Sequence, residues 1–514
     1  MTPTLPAVRF IGRWAGLLLL LLTVFSVFTD LGGLTLRQWD EARQAVSAFE
    51  MARSGNWVVT TFGFQPDLWN TKPPLLVWLQ AGLIQLIGPT EWAIRLPSAV
   101  AALATVMLVY GFMAKQLRRP LGGFLAGSVM LSALGFLGEH HAHTGDYDAL
   151  LTLGEVSMGL SLLLVLETGR ARWWVGVGLG LIAATLTKGV AALLPLPGLA
   201  LYILTQRRGR RLLLTPGFWL VAVGWAAVVV GWYSLREHAS PGYWAAVNLN
   251  ELGGRFGTPL ESHSGPWYFY LAIMAHSKFL PWIYLFPAVI PFALRHPDAR
   301  ARRVAWFAFS WALGMLVVVS ASQTKVVWYY VPAYPWLAVL AALGAPRLAT
   351  WLLGKVPGRG GRAVLAFWLI AFLVLPPLIT SLYELRDYRR DAYRDWSASR
   401  YLLRPGYALR ALRQEAQPPT PLTVVSRYSA TTLKPSTVLE GDSGYNASLR
   451  FYLAAYPHPV RVVPSVAIDS LRGPGYVLTV SPADSARLRT AFPRAAYRLV
   501  GRYKGLLWTL PATP

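Results

Sequence analysis

Apolar runs long enough to cross a bilayer recur along most of this chain, and that repetition excludes almost every soluble architecture. A run of about 20 apolar residues spans the hydrocarbon core as a helix, and only helices and closed barrels satisfy their own backbone in lipid. Such runs are read near residues 13–30, 92–114, 120–137, 148–166, 172–187, 190–205, 213–233, 272–294, 303–320, 327–345 and 363–383. Composition agrees: 54% of the 514 residues are hydrophobic and 14% are charged, against about 25% charged in an ordinary soluble domain. The 22 Trp and 23 Tyr suit many membrane–water interfaces. The expected fold is a polytopic α-helical membrane protein of about 11–13 transmembrane helices. The first run lacks a small-residue cleavage site and reads as a retained signal anchor. No cysteine is present, which removes disulfides, thiolate metal sites and cysteine nucleophiles.

The net charge of +24 raises the question of nucleic acid, but the charge is dispersed. Basic clusters at Lys115/Arg118/Arg119, Arg170/Arg172, Arg207–Arg211, Arg295–Arg303 and Lys355–Arg362 follow every second apolar run. Alternation of this kind marks cytoplasmic loops, whereas a nucleic-acid surface gathers its basic residues on one soluble module. Arg9 and Arg13 then place the N-terminus inside. The segments 31–91, 138–147, 187–189, 234–271 and 321–326 fall on the opposite face, and with them Asp40, Glu41, Lys72, Asp146, Asp148, Lys188, Arg255, His263 and Lys325. One extracytoplasmic site is the expectation, in a multi-pass protein of the plasma (inner) membrane.

Within the first outer loop, Ala45, Ala48, Phe49 and Ala52 recur at helical spacing over residues 40–53, as on a helix along the membrane surface. Residues 75–88 are apolar but short for a crossing, and Pro73-Pro74 fits the start of that helix. After residue 385 the composition becomes mixed and polar. Residues 1–385 are therefore expected to form the membrane domain, with outer loops 31–91 and 234–271, and residues 386–514 a small extracytoplasmic α/β domain. Its expected strands are 423–426, 460–463 and 476–480, and its expected helices 396–414, 447–455 and 485–492.

Carboxylates this close to a bilayer usually face water, a cation or a reaction. Asp40 and Glu41 are adjacent, so on a helix their side chains diverge by roughly 100° and cannot both reach one atom. Asp40 either acts in a site or caps a helix beginning at Glu41. The segment His140-His141-Ala142-His143-Thr144-Gly145-Asp146-Tyr147-Asp148 invites a zinc reading, but its spacing matches no standard motif. Asp148 can cap its helix or serve as a second carboxylate. Lys72, Lys188, Arg255 and Lys325 can snorkel to phospholipid headgroups, or neutralise a phosphate on a lipid substrate and stabilise it as it leaves. Tyr329, four residues after Lys325, can share a helical face with it.

Read in order, Asp40-Glu41-Ala42-Arg43, Ser54-Gly55-Asn56-Trp57, Lys72-Pro73-Pro74, Arg95-Leu96-Pro97-Ser98, Asp148-Ala149-Leu150-Leu151, Leu186-Thr187-Lys188-Gly189, Pro266-Trp267, Phe279-Leu280-Pro281-Trp282 and Thr324-Lys325 through Tyr329 and Pro335 resemble the GT-C glycosyltransferases that use polyprenyl-phosphate sugars. The branch resembled contains the aminoarabinose transferases of lipid A and the protein O-mannosyltransferases. The resemblance implies a lipid-linked sugar donor, a glycolipid or protein acceptor outside the cytoplasm, and no nucleotide or redox cofactor. It places Asp40 at the reaction centre and Asp148 at a second acidic position, with Glu41 as an orienting neighbour. Lys72 and Tyr329 match donor-phosphate contacts, and Arg255 and Lys325 are further cations for that phosphate. Some relatives carry an acidic residue before the lysine, which can hold a divalent metal with a histidine; here that position is Thr71, with His263 near the histidine position. The competing functions are a lipid-linked sugar flippase or another transporter, whose charges usually sit near mid-membrane on broken helices, and a noncatalytic scaffold.

Overall fold

The computed structural model describes residues 6–253, 257, 263–356, 358, 360–361, 364, 371, 375–376, 379–380, 382–383, 398–426, 446–501 and 505–511. Two compact units divide the chain. One contains Met1–Leu31, Leu68–Leu76 and Arg95–Arg386, and the other Gly32–Asp67, Val77–Ile94 and Asp387–Pro514. The first outer loop thus belongs largely to the unit that carries the C-terminal segment, a division different from the expected 1–385 and 386–514.

The first unit is helical. Among the described residues six helices are long and apolar enough to cross a membrane: Glu91–Gln116, Tyr147–Thr168, Trp173–Leu193, Pro216–Ala239, Ala299–Ala321 and Val327–Lys355. Trp14–Phe28, Leu75–Ile87, Pro120–Ser132 and Leu196–Thr205 are shorter apolar helices. The run at 272–294 is not one straight span; the path bends by 113° between Phe269–Lys278 and Trp282–Leu294, with Pro281, which has no N–H to continue a helix, at the break. The expected span at 363–383 lies largely outside the described residues.

Burial ranks these helices. Tyr147–Thr168 hides 72% of its most apolar window and Pro216–Ala239 only 11%, so the former is central in its unit and the latter presents its apolar surface outward, as a lipid-facing helix does. The central helix packs closely on Trp173–Lys188. A Cβ on Gly154 would lie 2.8 Å from Ala184 N and 2.9 Å from Gly180 O, so both glycines are needed for the two backbones to approach. This pairing sets Asp148, near the start of one helix, opposite Lys188 at the end of the other.

The second unit holds a large apolar cluster, and a smaller one around Val425, Ile468, Val477, Leu488 and Trp508. Leu36, Ala45, Phe49, Val77 and Ile84 share the large one with Leu409, Leu422, Val424, Phe451 and Leu507. The helix Asp40–Ser54 is fixed to the hairpin of β1 (Thr61–Phe62) and β2 (Gln65–Pro66). Glu50 accepts hydrogen bonds from Thr61 Oγ1 at 2.7 Å and from the N–H groups of Gly63 and Phe64 at 2.8 Å each. Arg43 forks onto Asp67 at 2.9 and 2.6 Å. The C-terminal sheet has the order β4-β3-β5-β7-β6, from β3 (Leu422–Val425), β4 (Val460–Val463), β5 (Gly475–Thr479), β6 (Ala496–Val500) and β7 (Gly505–Leu510). β3 runs parallel to β4 and β5, while β7 runs antiparallel to β5 and β6. The helices Ala398–Arg413, Ala447–Ala454 and Pro482–Ala491 accompany it. The three expected strands and three expected helices are present within a few residues, and the two last strands are additional.

Candidate active site

The site in the membrane unit begins with a helix start. Ser98 Oγ donates to the backbone O of Asp146 at 2.8 Å, which fixes the residue preceding the helix Tyr147–Thr168. Asp148 then projects from the first turn of that helix. Its two carboxylate oxygens accept from Lys188 Nζ at 2.6 and 2.7 Å, and both residues are buried. The same ammonium lies 5.5 Å from the centre of the Tyr329 ring. Asp148 therefore does not hold a helix cap; it neutralises a buried cation, and the pair carries Tyr329 on its flank.

Lys72 joins this neighbourhood through the preceding tyrosine. Its Nζ lies 5.8 Å from the centre of the Tyr147 ring, and Asn70 Nδ2 donates to the Tyr147 hydroxyl at 3.0 Å. Lys72 Nζ also stands 3.4 Å from Glu251 Oε1, an oxygen that accepts from Thr71 Oγ1 at 2.9 Å. The Tyr243 hydroxyl donates to Thr71 O at 2.6 Å. Gly189 turns the chain just after Lys188 at φ 56, and a side chain there would lie 2.9 Å from the Tyr233 hydroxyl. Burial holds the Tyr243 phenol above its ordinary pKa, so it serves as a donor.

The histidines do not converge. His140 has φ 62; its ring stacks on Trp328 with centres 3.5 Å apart, and its Nδ1 lies 3.1 Å from Asp146 Oδ2. Burial alone would raise the Asp146 carboxyl, but the charge and hydrogen bond of His140 hold it below its ordinary value. His141 is buried against Phe136 with ring centres 4.3 Å apart, and burial lowers its pKa to about 3. His143 Nε2 meets Ser26 O at 2.8 Å. Three rings in three settings do not form one zinc site.

Lys325 is engaged otherwise than expected. Its ammonium donates to the carbonyls of Val319 at 3.2 Å, Ser320 at 2.6 Å and Ser322, and so caps the end of the helix Ala299–Ala321. It anchors the turn leading to Tyr329 and points at backbone. His263 accepts at its carbonyl from Lys325 N at 2.9 Å. Among the described residues His263 belongs to no group of three close ligand atoms, and the Thr71 hydroxyl adds no carboxylate. These residues do not fit the expected metal site. Arg255 lies outside the described residues.

Asp40 and Glu41 belong to the second unit. The helix begins at Asp40, after Trp39 at φ 68, whose side chain makes no capping hydrogen bond, so Asp40 is the first residue of the helix and does not precede one starting at Glu41. The expected divergence is present: Asp40 is exposed, whereas Glu41 is buried and accepts from Arg37 N at 2.7 Å. Other motif residues are supports. Asn56 Oδ1 accepts from Val58 N at 3.1 Å and Val59 N at 3.0 Å, which closes the turn after the helix. Arg95 Nη1 donates to Leu31 O at 2.9 Å.

Sequence reasoning did not select Glu251 or Glu155. Glu251 is an acid within an outer loop that otherwise drew attention for Arg255 and His263. Glu155 lies two turns beyond Asp148, fully buried, with neither carboxyl oxygen hydrogen-bonded among the described residues; an acid inside an apolar span was its signal. Lys188 was visible as an outer cation, but its partner was not.

Residues 71–234 match the family described as dolichyl-phosphate-mannose-protein mannosyltransferase. An undecaprenyl phosphate-alpha-4-amino-4-deoxy-L-arabinose arabinosyl transferase of Shewanella sediminis (strain HAW-EB3) is 29% identical over 59% of this chain and 55% of its own length. The enzyme of the same description from Pseudomonas aeruginosa (strain LESB58) is 30% identical over 65% of this chain and 61% of its own. The matches thus span somewhat over half the length of these curated relatives. The structure of ArnT from Cupriavidus metallidurans bound to undecaprenyl phosphate superposes with a TM-score of 0.62 at 20% identity, covering 98% of this chain and 99% of that one. In fold over nearly its whole length, and in sequence over the matched stretches, the chain resembles the membrane-embedded GT-C glycosyltransferases of the aminoarabinose transferase and protein mannosyltransferase group.

Proposed function

We propose that this protein is an integral-membrane glycosyltransferase that moves a sugar from a polyprenyl-phosphate donor to a glycolipid or protein acceptor on the extracytoplasmic face of the inner membrane. The observation that carries the reading is the gathering of Lys72, Tyr147, Asp148, Lys188 and Tyr329 in one neighbourhood of the membrane unit. Lys72, Asp148, Lys188 and Tyr329 are motif residues that resemble this class, and with Tyr147 they bring two ammonium groups and two phenols into a neighbourhood of the kind that receives a phosphate. The similarity to transferases acting on undecaprenyl phosphate-linked aminoarabinose supports the donor class.

In this reading the bond between the anomeric carbon and the phosphate oxygen breaks as the acceptor oxygen bonds to the opposite face of that carbon, so configuration inverts. The electron pair of the broken bond leaves on polyprenyl phosphate. Lys72 and Tyr329 hold the phosphate, with Arg255 as a further cation, while Lys325 fixes the turn that carries Tyr329. Asp148 holds Lys188 beside that turn and sets the local charge. Asp40 accepts the proton of a hydroxyl acceptor, or orients an acceptor that is already ionised; Glu41 sets the start of its helix. Positioning supplies much of the rate in such an arrangement.

The test is sugar transfer by purified Asp40→Asn with a polyprenyl-phosphate sugar. A loss of about 100-fold or more in kcat is expected for a general base. Near-normal turnover would remove Asp40 from the chemistry, and lipid translocation without any transfer would replace the enzyme by a flippase.

A further inference from the structure

Thr71 and Lys72 present an ammonium and a hydroxyl to a single oxygen, and that oxygen belongs to the chain itself. Glu251 Oε1 accepts from Thr71 Oγ1 at 2.9 Å and lies 3.4 Å from Lys72 Nζ. Thr71 is fully buried, and its carbonyl is pinned by the Tyr243 hydroxyl at 2.6 Å, so the direction of its side chain is fixed by its surroundings. The side chain of Glu251 is 10% exposed and that of Lys72 22%. A fixed hydroxyl and a cation converging on one anionic oxygen form an anion-binding geometry, and a phosphate oxygen in the place of Oε1 would find the same two donors.

We infer that Glu251 is a displaceable internal anion on the Thr71 hydroxyl and the Lys72 ammonium, held there until the phosphate of the lipid-linked donor takes its place. This inference rests on the donor reading proposed above. The reason is electrostatic. A carboxylate and a phosphate at contact distance from one lysine repel each other as like charges, and more strongly in a site of reduced dielectric constant. Glu251 must therefore move when a phosphate enters. Until then its carboxylate lies against the Lys72 ammonium. The arrangement also gives a role to a threonine where some relatives have an acid: a neutral donor adds a hydrogen bond to the phosphate, whereas an acid would repel it.

The experiment is a titration of the full-length purified protein with a polyprenyl monophosphate, followed by tryptophan fluorescence, with the neutral polyprenol as control. Glu251→Gln is expected to bind the phosphate several-fold more tightly than the unaltered protein. Thr71→Val in that background is expected to return several-fold of the gain, and Lys72→Met to abolish it. Thermal unfolding of each variant separates these effects from misfolding, and Glu251→Asp, which keeps the charge but draws it back, should give a smaller gain. Unchanged or weaker binding by both Glu251 variants, at unchanged thermal stability, would overturn the inference while leaving the donor reading standing. If the unaltered protein does not prefer the phosphate to the polyprenol, the donor reading falls, and the inference falls with it.

Discussion

Asp148 and Lys188 are each buried in a helical unit where an unpaired charge is costly, and each is held there by the other at 2.6 and 2.7 Å. Breaking such a pair from one side leaves a charge with no compensation, a loss of about 3–5 kcal/mol, whereas replacing both members by apolar residues of similar volume is close to neutral. Lys188→Met is therefore expected to lower the thermal unfolding temperature sharply, and Asp148→Leu combined with Lys188→Met to restore most of it. Equal loss in the single and double variants would show that packing, and not charge, sets the stability here. His141 gives the pH counterpart. Its ring is buried with neither nitrogen hydrogen-bonded among the described residues, and its pKa falls from 6.5 to about 3. The unfolded chain takes up this proton below about 6.5 and the folded one does not, so the stability is fully present above that value and is lost progressively as pH falls towards 3. Replacing His141 by Phe is expected to flatten the fall between pH 6.5 and 4, as measured by thermal unfolding in detergent. An unchanged slope would place the acid sensitivity elsewhere. At this scale the sequence was legible for residue type and not for partner. Lys72, Asp148 and Lys188 stand out as charges beside apolar runs, but Lys188 and Asp148 meet only because Gly154 and Gly180 allow two helices to close. Nothing in the pattern around Lys325 showed that its ammonium would turn back onto the carbonyls of the helix before it.

Elements were legible wherever one rule governed them. The helix at Asp40–Ser54 follows from its apolar spacing, and Leu75–Ile87 from the proline pair before it. Six crossings were legible by length among the described residues, since a stretch of apolar residues has few alternatives in lipid, whereas the runs expected at 13–30, 120–137 and 190–205 carry the shorter apolar helices Trp14–Phe28, Pro120–Ser132 and Leu196–Thr205. The bent pair at Phe269–Lys278 and Trp282–Leu294 was not, because average hydropathy is blind to a single Pro281 that removes an N–H. Likewise the turn at Val327–Ala333 is a 3-10 segment before the helix Tyr334–Lys355. Tyr329 and Lys325 therefore do not share the face of one α-helix, and Tyr329 reaches Lys188 instead. The turn Ser54-Gly55-Asn56-Trp57 shows the opposite case. It resembles a functional motif, yet Asn56 binds two amides of its own turn and Trp57 O accepts from Trp78 Nε1 at 2.7 Å. Its spacing is dictated by the fold that carries Asp40.

At the scale of the whole molecule, local patterns cannot show that two stretches more than 300 residues apart by number share a core. Composition changes near residue 385 and suggested a separate terminal module, whereas Leu36, Phe49 and Val77 pack in one cluster with Leu409, Leu422 and Phe451. Polar contacts run the same way: the Tyr452 hydroxyl donates to Glu91 Oε1 at 2.7 Å and accepts from Leu36 N at 3.0 Å, and Arg410 donates to Glu91 at 2.9 Å and to the carbonyls of Gly32 and Gly33 at 2.9 and 3.0 Å. The helix that carries Asp40 thus depends on the C-terminal segment for its apolar cover and for hydrogen bonds to the turn and extended segment leading into it. Uncovering fully buried side chains forfeits about 1.5–3 kcal/mol each, and a short helix without tertiary packing is marginal in water. A chain ending at residue 386 is therefore expected to insert in the membrane but to expose residues 32–67 to protease, and to lose sugar transfer even though Asp40 is still present. Supplying residues 387–514 as a separate chain should recover part of the protection. Protection of residues 32–67 in the truncated chain, equal to that in the intact one, would mean that the outer loop folds without its C-terminal partner.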